Sequence, residues 1–355
     1  MLSGTKREAS ERQGDVVIES ETSGMSVHED VLTASVARRR TREQRDAGRK
    51  EPIFSEVIVP EPLGPVQVLV DDIKCKTFAF TQDDYCKWYF QDSPFGRRIG
   101  HASILANDLL QVYYTAYDRH RVVGLHTDEE LEFHAPVFIG EEATLTGCYV
   151  DKVERDGRGY VVMEAEARGE DGRLLLRHRG TEIMRIGPGV VRGNGQRRPA
   201  KKGDISGNYR DDVPLAENAS ARLVPGTGIL PIAKYVTSDQ MAVFSYVGEF
   251  QRNIHNDLEL ARSVGLPVPI CQGQQQACLV TELLTRFFGK SWFTSGRLRV
   301  KFVRPLLAES AVSIGGVVSQ LESSDDGQRL GVEVWIDAGD KELTTVGWAS
   351  ALVSL

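Results

Sequence analysis

The chain has 355 residues, 41% of them hydrophobic, 26% charged and 8% aromatic, with a formal charge of -7. That balance excludes collagen-like and wholly disordered chains, and no apolar run approaches the ~18 residues a membrane span requires. The mild acidity argues against nucleic acid as the main partner, because that role calls for a basic face. The length suggests about two domains. Cys75, Cys86, Cys148, Cys271 and Cys278 are odd in number and lack C-x-x-C spacing. They read as reduced thiols of a cytoplasmic protein, not as a disulfide scaffold or a zinc site.

Residues 1–62 are rich in Ser, Thr, Glu and Arg without a steady apolar period, and are expected to be a disordered or partly helical extension. Its charged start lacks the apolar stretch of a signal peptide. Ser26 to Lys50 is a candidate helix ending in ARRRTREQRDAGRK, a run that is either solvated or touches an anionic partner. Residues 63–187 open with strand-like VQVLV and KTFAF. An N-cap signal at Thr81 then predicts a short helix, TQDDYCKWYF, with acids in its first turn. After the loop QDSPFGRRIGH comes a longer predicted helix, ASILANDLLQVYYTAYD, in which Ile104, Leu105, Leu109, Val112 and Tyr113 recur near helical spacing. Beyond Gly124 the pattern changes to strands, LEFHAPVFI, EATLTGCYVDKVE, GYVVMEAEAR and LLLRHRGTEIMRI, with Gly/Asp turns between the later ones.

Residues 188–228 are full of breakers and read as a linker. Residues 229–355 then repeat the earlier order. A strand IAKYV leads to a cap at Thr237 and a short helix, TSDQMAVFSYV. The loop NIHND and a helical piece, DLELARSVG, precede a long helix, QQQACLVTELLTRFF, and four strands. FTQDDYCKWY (80–89) matches VTSDQMAVFS (236–245) in pattern, 156 positions on. FHAPVFIGEEATLTG (133–147) matches FVRPLLAESAVSIGG (302–316), 169 positions on. The difference predicts about 13 extra residues in the second copy. The expected fold class is α+β, two tandem repeats in which a long helix is wrapped by a curved antiparallel sheet, paired as an internal dimer.

The segment FSYVGEFQRNIHNDLELARSVGLPVPICQG resembles the MaoC-like, R-specific enoyl-CoA hydratase motif of the hot-dog fold. That pattern runs Gly-Asp-x-Asn-Pro-(Leu/Ile)-His, an acidic pair, Ala, Gly-(Phe/Leu) and Pro-Ile-x-His/Gln-Gly. Ile254, His255, Asp257, Ala261, Gly265, Leu266, Pro269, Ile270 and Gly273 match it. In the first copy Trp88, Tyr89, Ser93, Pro94, Phe95, Gly96, Arg98 and Ile99 match a family variant. The resemblance implies a double hot-dog acting on an acyl-CoA or acyl-carrier thioester, with no separate cofactor, no metal, no nucleic acid and no membrane. The implied reaction is hydration of a trans-2-enoyl group or its reverse. Water must lose a proton as it attacks C3 while C2 gains one, which a His/acid pair can serve. The charge that develops on the thioester oxygen needs backbone N–H donors, and Gly273 at the start of the long helix fits that place.

The departures fall on the acid. Counting back from His255, the family's Asp lies on Phe250 and its Asn on Arg252, with Glu249 and Asn253 one place away. His255, Glu249 and Asn253 are therefore the catalytic candidates. Gly273, Gln272, Asp84, His101, Tyr89, Trp88 and Arg252 are the substrate-binding candidates, and Arg97, Arg98 and Arg262 are further candidates for CoA phosphates. Asp84 also reads as routine helix capping, His101 as a helix-start residue, and Trp88 and Tyr89 as core or acyl-tunnel wall. Two other functions stay open: a non-catalytic acyl-thioester-binding or partner subunit, and a thioesterase on the same fold.

Overall fold

Short-range alternation decides the strands. In β4 (Arg158–Arg168) Val161, Met163, Ala165 and Ala167 are buried while their neighbours lie nearer solvent, the period of a sheet with one face on a core. The computed structural model describes residues 48–121, 124–186, 205–245, 252–324 and 327–353. The other strands of the first repeat are β1 (Glu61–Val70), β2 (Gly124–Phe133), β3 (Glu141–Arg155) and β5 (Leu174–Met184). The second repeat has β6 (Gly228–Val236), β7 (Arg297–Phe302), β8 (Ser310–Ser324), β9 (Gly327–Asp337) and β10 (Leu343–Val353). All pair antiparallel in one sheet, ordered β1-β3-β4-β5-β2-β7-β10-β9-β8-β6. The two halves follow the same order outward from the centre, where β2 pairs with β7 and Leu131 faces Leu298.

Several expected elements are corrected. KTFAF is not a strand. It lies in α1 (Asp72–Gln82), where Cys75, Phe78, Ala79 and Gln82 are buried at the i, i+3, i+4, i+7 spacing of one helix face. The cap is Asp71, whose carboxylate accepts from Lys74 N–H, and not Thr81. The helix ends at Asp83, in the left-handed conformation at φ 49°, so Asp84 follows a helix instead of opening one. The strand expected over LEFHAPVFI stops at Phe133 and runs back to Gly124, since Pro136 has no N–H for a ladder.

The long helix expected over ASILANDLLQVYYTAYD is only α2 (Ala106–Leu110) followed by a 3-10 turn over Gln111–Thr115. The Thr115 hydroxyl donates back to Val112 C=O, and Asp118 N–H and Ala116 C=O pair with Lys50, which draws the chain out of the helix. Ile104, Leu105, Leu109, Val112 and Tyr113 are buried nonetheless.

In the second repeat Thr237 does cap α3 (Ser238–Phe244), reciprocally with Gln240. Then come α4 (Leu258–Ser263), the long α5 (Gly273–Phe288), buried along almost its whole length, and α6 (Lys290–Ser295). The capping residues Asp71 and Thr237 lie 166 positions apart, and the sheet pairs Val70–Glu141 and Val236–Ser310 give 169 between Glu141 and Ser310. The second repeat therefore carries 3 extra residues between these points, not 13.

Residues on either side of the repeats pack against them. Lys50 bridges to Tyr117, and Phe54 covers Gly159 of β4. In the stretch expected to be a linker, Ile205 is buried against Val317 and Trp335, and Ala219 N–H donates to Phe287 C=O. Residues 1–47, with most of the candidate basic helix, and 187–204 lie outside the described residues. Among those described, no helix is long and apolar enough to cross a membrane, and all five cysteines are free thiols.

Candidate active site

The loop at 252–257 is built around one histidine. Asn253 Oδ1 accepts from His255 N–H at 2.9 Å, and Asn256 Oδ1 accepts from Asn253 N–H at 2.9 Å, an Asx-type turn that fixes the backbone. Asp257 closes the loop by capping α4, accepting from Leu260 N–H at 2.8 Å, and it pairs with Arg252 at 2.5 Å. The Arg252 guanidinium and the cap hold the Asp257 carboxyl down at about 2. The loop is laced to the segment leading into α5, because Ile270 N–H donates to Ile254 C=O.

His255 Nδ1 lies 2.7 Å from Ile270 C=O. A carbonyl can only accept, so Nδ1 carries the proton and Nε2 is left with its lone pair. Burial pushes the imidazole down to about 4, opposed by the Ile270 bond, so at neutral pH the ring is an uncharged base. Three residues on from Ile270, Gly273 opens α5. The first N–H groups of a 16-residue helix have no intrahelical partner, and the macrodipole makes that end positive. A Cβ at Gly273 would sit 2.7 Å from the Phe302 ring, so any other residue here would have to displace that ring. Gln272 precedes it without capping the helix, and its Oε1 is buried with no partner.

The neighbouring glutamines are committed elsewhere. Gln274 Nε2 donates to Glu129, Gln275 Nε2 to Thr81 C=O, and Gln276 Nε2 to Cys271 C=O. Arg252 is exposed and tied to Asp257 and Glu259. Arg98 donates to Tyr89 C=O and pairs with Asp72, and Arg97 lies over the Phe138 ring. Trp88 packs against Phe293. Glu249, the candidate acid, lies outside the described residues, as does Phe250.

The first repeat brings three other candidates together. Tyr89 Oη donates to Asp84 Oδ2 at 2.8 Å, and His101 Nε2 lies 3.6 Å from the same oxygen. Cys86 N–H donates to Asp84 Oδ1, while His101 Nδ1 faces the Ser103 hydroxyl at 3.0 Å. Asp84, Tyr89, His101 and Ser103 are all buried, and His101 packs on Phe78. Burial drives the His101 imidazole down to about 4 against the pull of Asp84. The folded chain thus keeps it neutral where the unfolded chain would protonate it near 6.5. Its contribution to stability is complete above pH 6.5 and is lost as pH falls towards 4. At about 1.4 kcal/mol per tenfold change in proton affinity, that loss is about 3 kcal/mol. Chemical denaturation of the wild type and His101→Gln from pH 7 to 4 checks this. The variant's acid slope is expected to be shallower by about that amount, and parallel slopes would refute the assignment.

Sequence reasoning missed a second buried cluster. His126 Nε2 and His178 Nε2 lie 3.1 and 2.9 Å from Glu129 Oε2, and Gln274 reaches the other carboxylate oxygen. His126 and Glu129 are three apart, which would place them on opposite faces of a regular strand. A register shift between His126 and Asp128 restores them to one face. Among the described residues no group of three His, Cys, Asp or Glu side chains has the geometry to hold a metal ion.

Two repeats sharing one sheet, with the second wrapped on a long central helix, make this chain a double hot-dog protein of the α+β class. It has the fold of the MaoC-like dehydratases. A MaoC-like dehydratase matches at TM-score 0.63 and 16% identity over 87% of this chain and 100% of the other. A double hot-dog protein of Mycobacterium tuberculosis, essential for survival during infection, matches at TM-score 0.59 and 13% identity, covering 85% and 98%. The peroxisomal multifunctional enzyme type 2 of Drosophila melanogaster matches at TM-score 0.56 and 16% identity, over 92% of this chain and 52% of that one. No family model matches the sequence, and no curated protein does.

Proposed function

We propose that the chain is a hydro-lyase that adds water to a trans-2-enoyl thioester, or removes it from a 3-hydroxyacyl thioester, at one site in the second repeat. The observation that carries this reading is His255, whose proton is held on Nδ1 by Ile270 C=O so that Nε2 keeps its lone pair and can act as a base. In hydration Nε2 takes a proton from water as the oxygen bonds to C3, and the imidazolium so formed or a nearby acid returns a proton to C2. The N–H groups at the start of α5 hold the thioester oxygen as negative charge develops on it. Asn253 acts as a positioning residue, since its side chain sets the turn that presents His255. Glu249 is the proposed acid partner. The thioester is carried by CoA or by a carrier protein, and the proposed location is the cytoplasm.

The fold neighbours named as MaoC-like dehydratases support this reading over the two alternatives. Incubation with trans-2-enoyl-CoA of several chain lengths tests it directly. Loss of enoyl absorbance with formation of 3-hydroxyacyl-CoA is expected. Binding without turnover would identify the non-catalytic subunit instead, and release of free thiol would identify a thioesterase.

A further inference from the structure

The two repeats finish each other's short helices. The last carbonyls of a helix have no intrahelical partner. At the end of α1 the second repeat supplies donors: Gln240 to Phe80 C=O, Gln275 to Thr81 C=O, and Lys234 to Gln82 and Asp83 C=O. The exchange runs the other way at the end of α3, whose last residue, Phe244, offers its C=O to Asn107 Nδ2 of α2 at 3.1 Å. Gln111 Nε2 donates to Asn107 Oδ1, which fixes the orientation of that amide. Contacts of this kind hold the repeats together. Two of them, those of Gln275 and Asn107, also lead to His255, from opposite sides.

The carbonyl that keeps the proton on His255 Nδ1 belongs to the Ile270–Cys271 peptide, which is planar and moves as one unit. On its far side Cys271 N–H donates to Leu306 C=O at 2.8 Å. The buried Cys271 thiol lies 3.4 Å from Gln275 Oε1, and Gln275 Nε2 lies 3.0 Å from Thr81 C=O. One side chain, itself 2% exposed, thus spans from the first repeat to the residue that completes this peptide. The other side of the histidine is tied through α3. Ser245 follows Phe244, and its hydroxyl accepts from Asn256 Nδ2 at 3.1 Å. Asn256 and Asn253 form the turn that sets the His255 backbone. Hydrogen bonds and short stretches of chain therefore join α1 to the Ile270 carbonyl and α2 to the His255 loop. A hydrogen bond weakens steeply as its geometry departs from the ideal, so the spacing of loop and carbonyl decides how completely the proton stays on Nδ1.

We propose that the first repeat is a clamp on the candidate base, with Asn107 and Gln275 as positioning residues that hold His255 against Ile270 C=O and so keep Nε2 unprotonated. Its kinetic consequence rests on the hydratase reading. Nuclear magnetic resonance of the full chain with isotope-labelled histidine shows which ring nitrogen carries the proton, the His255 signal being the one lost in His255→Ala. In the wild type at neutral pH the proton is expected on Nδ1 alone. The double variant Asn107→Leu/Gln275→Met should add a second population with the proton on Nε2. It should also lower kcat for an enoyl-CoA about 10- to 100-fold with KM within about threefold, as for a misplaced catalytic group. Cys271→Ala cuts the Gln275 link while leaving Thr81 C=O paired, and should move the signal the same way. The double variant decides if it folds, and Cys271→Ala decides if it does not. Lys234→Met, whose contacts are Gln82, Asp83 and Glu282, loosens the same seam between repeats and should leave the signal in place. A wild-type proton on Nε2, a signal unmoved in the deciding variant, or one moved equally by Lys234→Met would overturn the proposal. Hydration is scored separately. A signal that moves as stated beside no hydration, or beside an unchanged kcat, would overturn the hydratase reading at His255 and leave the clamp standing. Hydration with an unmoved signal would do the reverse.

Discussion

Replacing His255 by alanine is expected to slow hydration of an enoyl thioester by about 10²- to 10⁴-fold, the usual contribution of a positioned general base. The loss should fall on kcat more than on KM, because in the proposed mechanism the imidazole acts on water while the start of α5 holds the thioester. The fold should survive, since among the described residues this side chain makes one hydrogen bond, to Ile270 C=O, in a loop that also has the Ile270–Ile254 backbone bond and the Asp257 cap. Circular dichroism and the denaturation midpoint of the variant check that point. With the imidazole held down to about 4, the wild-type rate should be insensitive to His255 titration above pH 5 and fall as pH drops through about 4. His255→Gln can occupy the place but cannot take a proton, so it should remain as slow as the alanine variant. A kcat within threefold of wild type for either variant would remove His255 from the chemistry and favour the binding-subunit reading.

The second repeat was readable because its signals agree with one another. Thr237 with Gln240 is a complete capping box, the apolar spacing of α5 is unbroken, and the NIHND and PVPICQG segments carry the family resemblance on either side of α4. The first repeat misleads at the corresponding points. Asp83 and Asp84 look like the acidic first turn of a helix, while the true cap is Asp71, and KTFAF alternates like a strand while its larger period is helical. The aromatic run after α2 keeps helical spacing, yet Thr115 and the strand-like contacts of Lys50 end the helix early. Those burials follow from the spacing, but the break depends on Lys50, 67 positions before its bridge partner Tyr117. The Asp84–Tyr89–His101 cluster was anticipated residue by residue, though not as one hydrogen-bonded group. The His126–Glu129–His178 group was not anticipated, because a one-residue register shift is what puts it on one face.

Lys234→Met is expected to cost about 3–5 kcal/mol of stability, the range for breaking a buried ion pair by removing one partner. Lys234 on β6 of the second repeat lies 2.9 Å from Glu282 of α5, with the two side chains 5% and 1% exposed. Its ammonium also donates to Gln82 C=O at 3.1 Å and to Asp83 C=O at 2.5 Å, the last carbonyls of α1 in the first repeat. One cation therefore neutralises a buried acid and caps a helix of the other repeat. Burial together with the nearby Asp84 charge already raises the Glu282 carboxyl to about 7, with Lys234 and Arg286 pulling it down. Without Lys234 it should titrate higher, so the folded variant takes up a proton at neutral pH that the wild type holds only in part. The variant's deficit should accordingly be larger at pH 8 than at pH 6, where protonated Glu282 no longer needs a counter-charge. The double variant Lys234→Met/Glu282→Leu should recover a substantial part of the loss, because no uncompensated charge remains, but not the part due to the freed Gln82 and Asp83 carbonyls. Urea denaturation of the three proteins at both pH values measures each term. A single-variant cost below about 1 kcal/mol, as for an exposed pair, would mean that this contact does not join the two repeats energetically. A deficit equal at both pH values would assign the cost to the α1 carbonyls alone. Because Asp84 follows those carbonyls directly, either outcome also says how firmly the second repeat holds the Asp84–Tyr89–His101 cluster in place.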